Sequence, residues 1–221
     1  DGTYFSNEIC LVVYRDNVFK QTQLYRITDG EHYEELKEDL ENILNLGIKI
    51  GGITCDGDKS LLKAIRKVYP KVPVQRCLVH IQRMCKIWLS AYPKSEAGFE
   101  LREIVCKLHF IDDEVKKQYW IKEFLDWFEK HKDFLNEKSY SLETGRFWYT
   151  HKMVRRCFSV IRKALPNMFT FLQNHKIPKT TNGIESFFGH LKGNLNIHRG
   201  LTKSRRKKFI QWYLFYKNIK S

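Results

Sequence analysis

The sequence predicts a mixed α/β core interrupted by a long helical insertion. Three observations carry this. Short apolar, β-branched runs alternate with amphipathic helical stretches over the first eighty residues. Strand signals then give way to charge-rich helical text from 81 to 175. Turn residues and an apolar helical pattern return near Thr180 and continue to the end. The predicted organisation is residues 1–80 as the first part of the core, 81–175 as an all-helical insertion, and 176–221 as the closing helical region.

The elements follow in order. Ile9-Cys10-Leu11-Val12-Val13-Tyr14 is a β-branched run and predicts a buried strand. Asp16-Asn17 is a turn signal, and Val18–Ile27 predicts a partly exposed strand paired with the first. Residues 1–27 thus read as the end of one strand followed by a hairpin. Tyr33, Leu36, Leu40, Ile43 and Leu44 recur at helical spacing, with Gly47 as the stop. Ile48–Thr54 predicts another strand, in which Gly51-Gly52 signals a bulge or a close backbone approach. Leu61, Leu62, Ile65 and Val68 mark a second helix that ends before Pro70, and Val72–Leu78 predicts a short strand. In the insertion, Leu89, Ile104, Leu108, Trp120, Phe124, Leu125, Trp127, Phe128, Phe134 and Leu135 sit at helical spacing.

Composition narrows the function. The chain of 221 residues is 43% hydrophobic and 14% aromatic, which excludes whole-chain disorder. No apolar run of about 18 residues is present, so no membrane-spanning helix is expected. Asp1-Gly2-Thr3-Tyr4 is neither basic nor apolar, so no signal peptide is expected. Cys10, Cys55, Cys77, Cys85, Cys106 and Cys157 are scattered through apolar text and predict reduced thiols in a cytosolic or nuclear compartment. The net charge of +14 points to a polyanionic partner. That charge concentrates at the end of the chain: Glu185 is the only acid from residue 176 onward, among eleven Lys and Arg. Phe187, Phe188, Phe209, Trp212, Tyr213, Phe215 and Tyr216 interleave with those cations, which predicts one packed face and one face offered to phosphates.

No phosphate-binding glycine loop, dinucleotide fingerprint, nucleophile elbow or zinc-protease helix occurs, so nucleotide-driven and serine-hydrolase chemistry lose their support. Asp56 directly follows a predicted strand, the usual place for ligand groups in open α/β sheets. Asp56 or Asp58 also suits the cap of the helix that starts near residue 59. Asp1-Gly2 alone is a common turn pair. Asn182-x-x-Glu185 has capping-box spacing, while an acid at a helix start within a basic tract is also what a cation site needs. Cys77 and His80 stand three residues apart without a second pair, an incomplete zinc motif.

Asp1-Gly2-Thr3-Tyr4-Phe5, Thr54-Cys55-Asp56-Gly57, Gln75-Arg76-Cys77-Leu78-Val79-His80 and Thr180-Thr181-Asn182-Gly183-Ile184-Glu185-Ser186 with Leu191-Lys192, in that order, resemble the catalytic domain of mutator-type DDE transposases of bacterial insertion sequences. Gly145-Arg146-Phe147-Trp148-Tyr149-Thr150-His151-Lys152 and His198-Arg199-Gly200-Leu201 resemble the same family. Family members carry a DNA-binding region ahead of the first Asp, so the chain reads as a catalytic-domain fragment. The resemblance implies an RNase H-like mixed sheet with a helical insertion before the last catalytic helix. It makes Asp1, Asp56 and Glu185 the catalytic triad and the ligands of two Mg²⁺ or Mn²⁺ ions. The implied reaction is cleavage of transposon-end phosphodiesters, then transfer of the freed 3′-hydroxyl into target DNA. An RNase H-like nuclease without strand transfer, or a domesticated protein that binds DNA without cutting it, are the alternatives. Cys77 and His80 become active-site supports. Trp148 becomes either a base-stacking residue or a core tryptophan. His151, Lys152, Arg155, Arg156, Asn182, Lys192, Arg199, Lys203, Arg205 and Arg206 become DNA contacts. The implied partners are duplex DNA and a second copy in a synaptic dimer, in a cytoplasmic, nucleoid-associated setting.

Overall fold

The computed structural model describes residues 1–5 and 9–219. They divide into two compact units, one made of Asp1–Gln75 with Lys176–Ser221 and the other of Arg76–His175.

The first unit is organised by its second strand. β1 (Gly2–Phe5), β2 (Ile9–Arg15) and β3 (Thr22–Thr28) form an antiparallel sheet in the order β1-β2-β3. Side chains alternate across a strand, so β2 must find apolar partners on both sides. Ile9, Leu11 and Val13 pack on one face with Phe187, Phe188, Leu191 and Leu195 of α8 (Asn182–Ile197) and with Ile210 and Leu214 of α9 (Lys203–Ile219). Cys10 and Val12 pack on the other with Leu36 and Leu40 of α1 (Tyr33–Asn45) and Leu61, Ala64 and Ile65 of α2 (Lys59–Val68). The result is helices on both faces of a three-stranded sheet.

Several predicted boundaries move. The third strand begins at Thr22 rather than Val18, because Asp16 accepts the backbone N–H groups of Val18 and Phe19 and holds that stretch as a turn. The predicted strand 48–54 shortens to β4 (Ile53–Cys55), and 72–78 to β5 (Val74–Arg76). Gly52 supplies a close approach rather than a bulge: a Cβ there would lie 2.3 Å from the Ile177 side chain. Among the described residues β4 and β5 pair with each other, and their ladder is separate from that of β1-β2-β3, so the single mixed sheet of the sequence reading is two hydrogen-bonded groups. α1 ends as expected, with Gly47 at φ +75° just beyond it.

The second unit is mostly helical: α3 (Leu78–Leu89), α4 (Glu96–Cys106), α5 (Glu114–Asn136), α6 (Lys152–Ala164) and the short α7 (Thr170–Gln173). Its core is aromatic, with Trp120, Phe124, Trp127 and Phe158 packed against Leu101, Leu108 and Ile161. Burying an indole requires a partner for its N–H. Trp120 donates to the Ile104 carbonyl at 2.8 Å and Trp127 to that of Ala97 at 3.0 Å. Leu125 lies on α5 as the helical reading has it and is half exposed. The all-helical reading needs a correction. β6 (Lys138–Tyr140) and β7 (Phe147–Tyr149) form a small antiparallel hairpin. Its reason is local: Phe-Trp-Tyr favours extended backbone, and Gly145 turns the chain at φ +64°. All six cysteines are free thiols, five of them buried.

One buried charge ties sheet to helix. Asp39 on α1 is 2% exposed, and its Oδ1 accepts from Arg26 Nε at 2.9 Å and Nη2 at 2.6 Å. Asp39→Ala leaves the Arg26 guanidinium without that partner. It is expected to cost about 2–4 kcal/mol, read as a lowered urea midpoint at constant slope.

Candidate active site

The carboxylates singled out by the sequence all lie in the first unit, and local hydrogen bonds explain how each is presented. Asp58, not Asp56, caps α2: its Oδ1 accepts from the N–H groups of Ser60 and Leu61 at 2.8 and 3.0 Å. Asp56 Oδ1 accepts the Asp58 N–H at 2.9 Å, which holds it directly beyond the end of β4. Gly57, at φ +96°, makes the turn between them. The choice that the sequence left open between a cap and a strand-end carboxylate is thus settled in favour of two residues with two roles.

Asp1 precedes β1 and continues its pairing with β2. The Val13 N–H donates to the Asp1 carbonyl at 3.0 Å, and the Asp1 ammonium donates to the Val13 carbonyl at 3.3 Å. Asp1 therefore pairs with β2 in line with β1. Asp1-Gly2 is no turn: a Cβ on Gly2 would meet the Glu31 carboxyl carbon at 2.7 Å.

Glu31 is the residue that sequence reading missed. Its Oε1 is buried and has no hydrogen-bond partner among the described residues. Burial pushes its carboxyl above the usual glutamate range, the Asp1 ammonium pulls it back, and the Asp56 and Asp58 carboxylates add to the rise. Glu31 thus feels the Asp1 ammonium and the Asp56 and Asp58 carboxylates together. The one signal available in the sequence was the glycine at position 2, which a close neighbour would require.

Glu185 lies in the first turn of α8, half-buried. The predicted capping box does not form: the cap position is Thr181, whose side chain does not cap the helix, Asn182 is already helical, and the Glu185 N–H donates to the Thr181 carbonyl at 3.0 Å. The segment entering α8 is anchored on β4, where Thr54 Oγ1 donates to the Pro178 carbonyl at 2.8 Å and Ile177 covers Gly52. These two contacts bring the start of α8 towards the strand that carries Asp56. Among the described residues, no group of three or more His, Cys, Asp and Glu side chains is arranged to hold a metal ion.

The remaining predicted residues divide between the units. Lys192 is on α8, Arg199 in the elbow after it, and Lys203, Arg205 and Arg206 in the first turns of α9. Beyond those cations α9 does not present a purely basic outer face: Trp212, Phe215 and Tyr216 are half exposed and stack on one another. Cys77 and His80 belong to the helical unit, where Cys77 is wholly buried at the cap of α3. Trp148 is on β7 and 51% exposed, so it is not a core tryptophan. Arg155 lies over the Tyr149 ring at 3.6 Å and donates to the Leu135 carbonyl, and Arg156 lies over Trp88 at 4.3 Å. His151 stacks on Phe134 and meets Glu137 Oε2 at 2.7 Å, whereas Lys152 is exposed.

The profile of Transposase, Mutator family, matches residues 19–201. The chain belongs to this family. Among curated proteins none matches it. Membership makes the protein one of the DNA-recombining transposases, and its basic charge agrees with a DNA partner. No described helix is long and apolar enough to cross a membrane.

The position of Glu31 has a measurable consequence for the transposase. An acid whose folded-state pKa is raised stabilises the fold while protonated, and that contribution is lost as pH rises through the raised value. Glu31→Gln removes the penalty of ionising there. The variant should melt higher than the parent at pH 7 and should match it at a pH below the ordinary glutamate range. Equal melting temperatures at both pH values would place Glu31 in solvent instead.

Proposed function

We propose that Asp1, Asp56 and Glu185 are the catalytic carboxylates of an RNase H-like transposase core that cuts transposon-end DNA and joins the freed 3′-hydroxyl to target DNA. The observation that carries this is the presentation of Asp56. A separate residue caps α2, and Asp56 stands directly beyond a strand end, where the buried Glu31 carboxyl feels its charge. The helices on both faces of an antiparallel three-stranded sheet, with an acid at the start of the closing helix, support an RNase H-like reading. On this reading the unit made of Asp1–Gln75 and Lys176–Ser221 is the catalytic core, and Arg76–His175 is its insertion.

The donor chemistry fits divalent magnesium or manganese. These ions take hard carboxylate oxygens, water and phosphate rather than thiol or imidazole, and the three residues offer oxygen donors only. Two such ions, when bound, activate the attacking water or hydroxyl and stabilise the leaving oxygen. The chain's own residues do the rest. Asp58 and Gly57 fix the direction of Asp56. Thr54 and Gly52 hold the entry to α8, and with it Glu185. The cations of α8 and α9 attract the phosphodiester backbone towards a site that would otherwise repel it. Cys77 and His80 support the fold next to β5, a role that the burial of Cys77 suits. Lys192, Arg199, Lys203, Arg205 and Arg206 contact phosphates, with Asn182 at the start of α8 beside them. In the insertion, Trp148 stacks on an unpaired base and Lys152 reaches phosphate, while His151, Arg155 and Arg156 brace the hairpin and α6 beneath them. The partners are duplex DNA and a second copy that synapses two ends.

Two experiments test this reading. Asp56→Asn and Glu185→Gln keep side-chain shape and remove charge. Each should lower Mg²⁺-dependent cleavage and joining by about 10²-fold or more while duplex DNA still binds, as strongly as before or better. Normal cutting and joining by Asp56→Asn would overturn the mechanism, and cutting without joining by the parent would make it a nuclease. Trp148→Ala should leave the melting temperature within about 0.5 kcal/mol of the parent, as for other surface changes, and should slow strand processing. A large loss of stability would assign Trp148 to packing.

A further inference from the structure

α9 has two apolar faces, and the described residues cover only one of them. Ile210 and Leu214 are buried in the core shared with β2 and α8. On the opposite side Trp212, Phe215, Tyr216 and Ile219 are each between 54% and 64% exposed. The Trp212 ring stacks on Tyr216 at 5.7 Å and meets Phe215 edge-on at 5.8 Å, so the patch is continuous. Lys217 lies over the Tyr213 ring at 5.6 Å, away from this stripe. The sequence predicts a face offered to phosphates, yet from Trp212 onward the outer stripe of α9 carries no cation.

The spacing of that stripe points to a helical partner. Arg205, Lys208, Trp212, Phe215 and Ile219 follow one another at alternating steps of three and four residues. A 3.5-residue period is the seam along which one helix packs on another. Its size agrees. Three half-exposed aromatics and an isoleucine leave about 400 Å² of apolar surface, roughly half of the ~800 Å² that each partner gives to a standard interface. The charge pattern sets the direction. Cations occupy the first half of the stripe and apolar side chains the second. A parallel copy would set Lys208 against Lys208, whereas an antiparallel copy joins the apolar halves and sends the basic halves apart. An acidic partner helix would find its cations only at Arg205 and Lys208, away from the rings.

We propose that α9 pairs antiparallel with α9 of a second copy, about a two-fold axis between Tyr213 and Leu214. Trp212 of each copy packs on Phe215 of the other, and Lys208 lays its aliphatic stem along Ile219. The two Lys208 residues stand eleven residues apart along the paired axes, about 16 Å, beyond the screening length of about 8 Å at physiological salt. The reading above calls for a second copy, and this contact gives that copy a surface. It points the basic starts of the two α9 helices in opposite directions, one for each DNA end. The pairing needs neither DNA nor the carboxylates, so its failure leaves the catalytic assignment standing.

Sedimentation velocity without DNA, from about 1 to about 100 µM protein, should show a reversible dimer of micromolar affinity. Trp212→Ala with Phe215→Ala should weaken it about 100-fold or more while the circular dichroism of the dilute protein stays that of the parent. Register is read by oxidising a mixture of Lys208→Cys and Ile219→Cys chains, which should cross-link across the pair. Neither variant alone should do so, because a disulfide needs Cα atoms within about 7 Å. The parent is the control for Cys106, which is partly exposed. A parent that stays monomeric over the whole range overturns the proposal, as does a dimer indifferent to the alanines or equal cross-linking by a single variant. If the chain is monomeric and Trp212→Cys resists maleimide, another segment covers the face. If the alanine pair instead abolishes duplex binding by a monomer, the face reads DNA. Either result also overturns the pairing.

Discussion

The burial of β2 on both faces is the constraint from which the first unit follows. Ile9, Cys10, Leu11, Val12 and Val13 are each no more than 1% exposed. Each buried aliphatic side chain contributes about 1.5–3 kcal/mol, so neither face can be left to water. One face recruits α1 and α2 from the sequence just after the sheet. The other recruits α8 and α9, more than 160 residues further along the chain. The chain must leave the core, build a separate helical unit and return. Glu185 stands on α8, whose apolar side chains complete the layer over β2.

Backbone geometry sets where the acidic residues stand. Asp1 is fixed by the β1–β2 ladder, Asp56 by the Asp58 N–H, and Glu185 by the anchoring of its helix entry on β4. Gly2 makes room for Glu31, whose carboxyl is held above the usual glutamate range by burial and by the Asp56 and Asp58 carboxylates. Placing several acids together costs stability, and the doubly covered sheet supplies the rigidity that keeps them there.

The basic residues follow the opposite logic in the two units. Along α8, the elbow and α9, Lys192, Arg199 and Arg206 line one hollow, with no acid among the described residues that line it. In the helical unit Arg155 and Arg156 lie on aromatic rings, and His151 stacks on Phe134, so these cations brace the scaffold beneath the exposed hairpin. On that hairpin Trp148 is half exposed, while the tryptophans of α5 are buried.

The sequence by itself determined the elements whose patterns are long and periodic: β2, α1, α2, the helices of the insertion and the apolar face of α8. It also determined the family, since Asp1-Gly2, Asp56-Gly57 and Asn182-Gly183-Ile184-Glu185 occur in order along the chain. Tertiary structure decided what depends on residues distant in sequence. Gly52 reads as a bulge or a close approach until Ile177 is seen against it, and Asp56 and Asp58 are equal candidates for a cap until the N–H groups of α2 choose between them. The β6–β7 hairpin escaped notice because three-residue strands leave too short an alternation to distinguish from helical text. Glu31 carried no motif, and its place beside Asp1 and Asp56 arises from the close approach of two backbone segments. Local pattern encodes which face of an element is apolar, but the burial and field at a charged group are summed over neighbours that only the folded chain brings together.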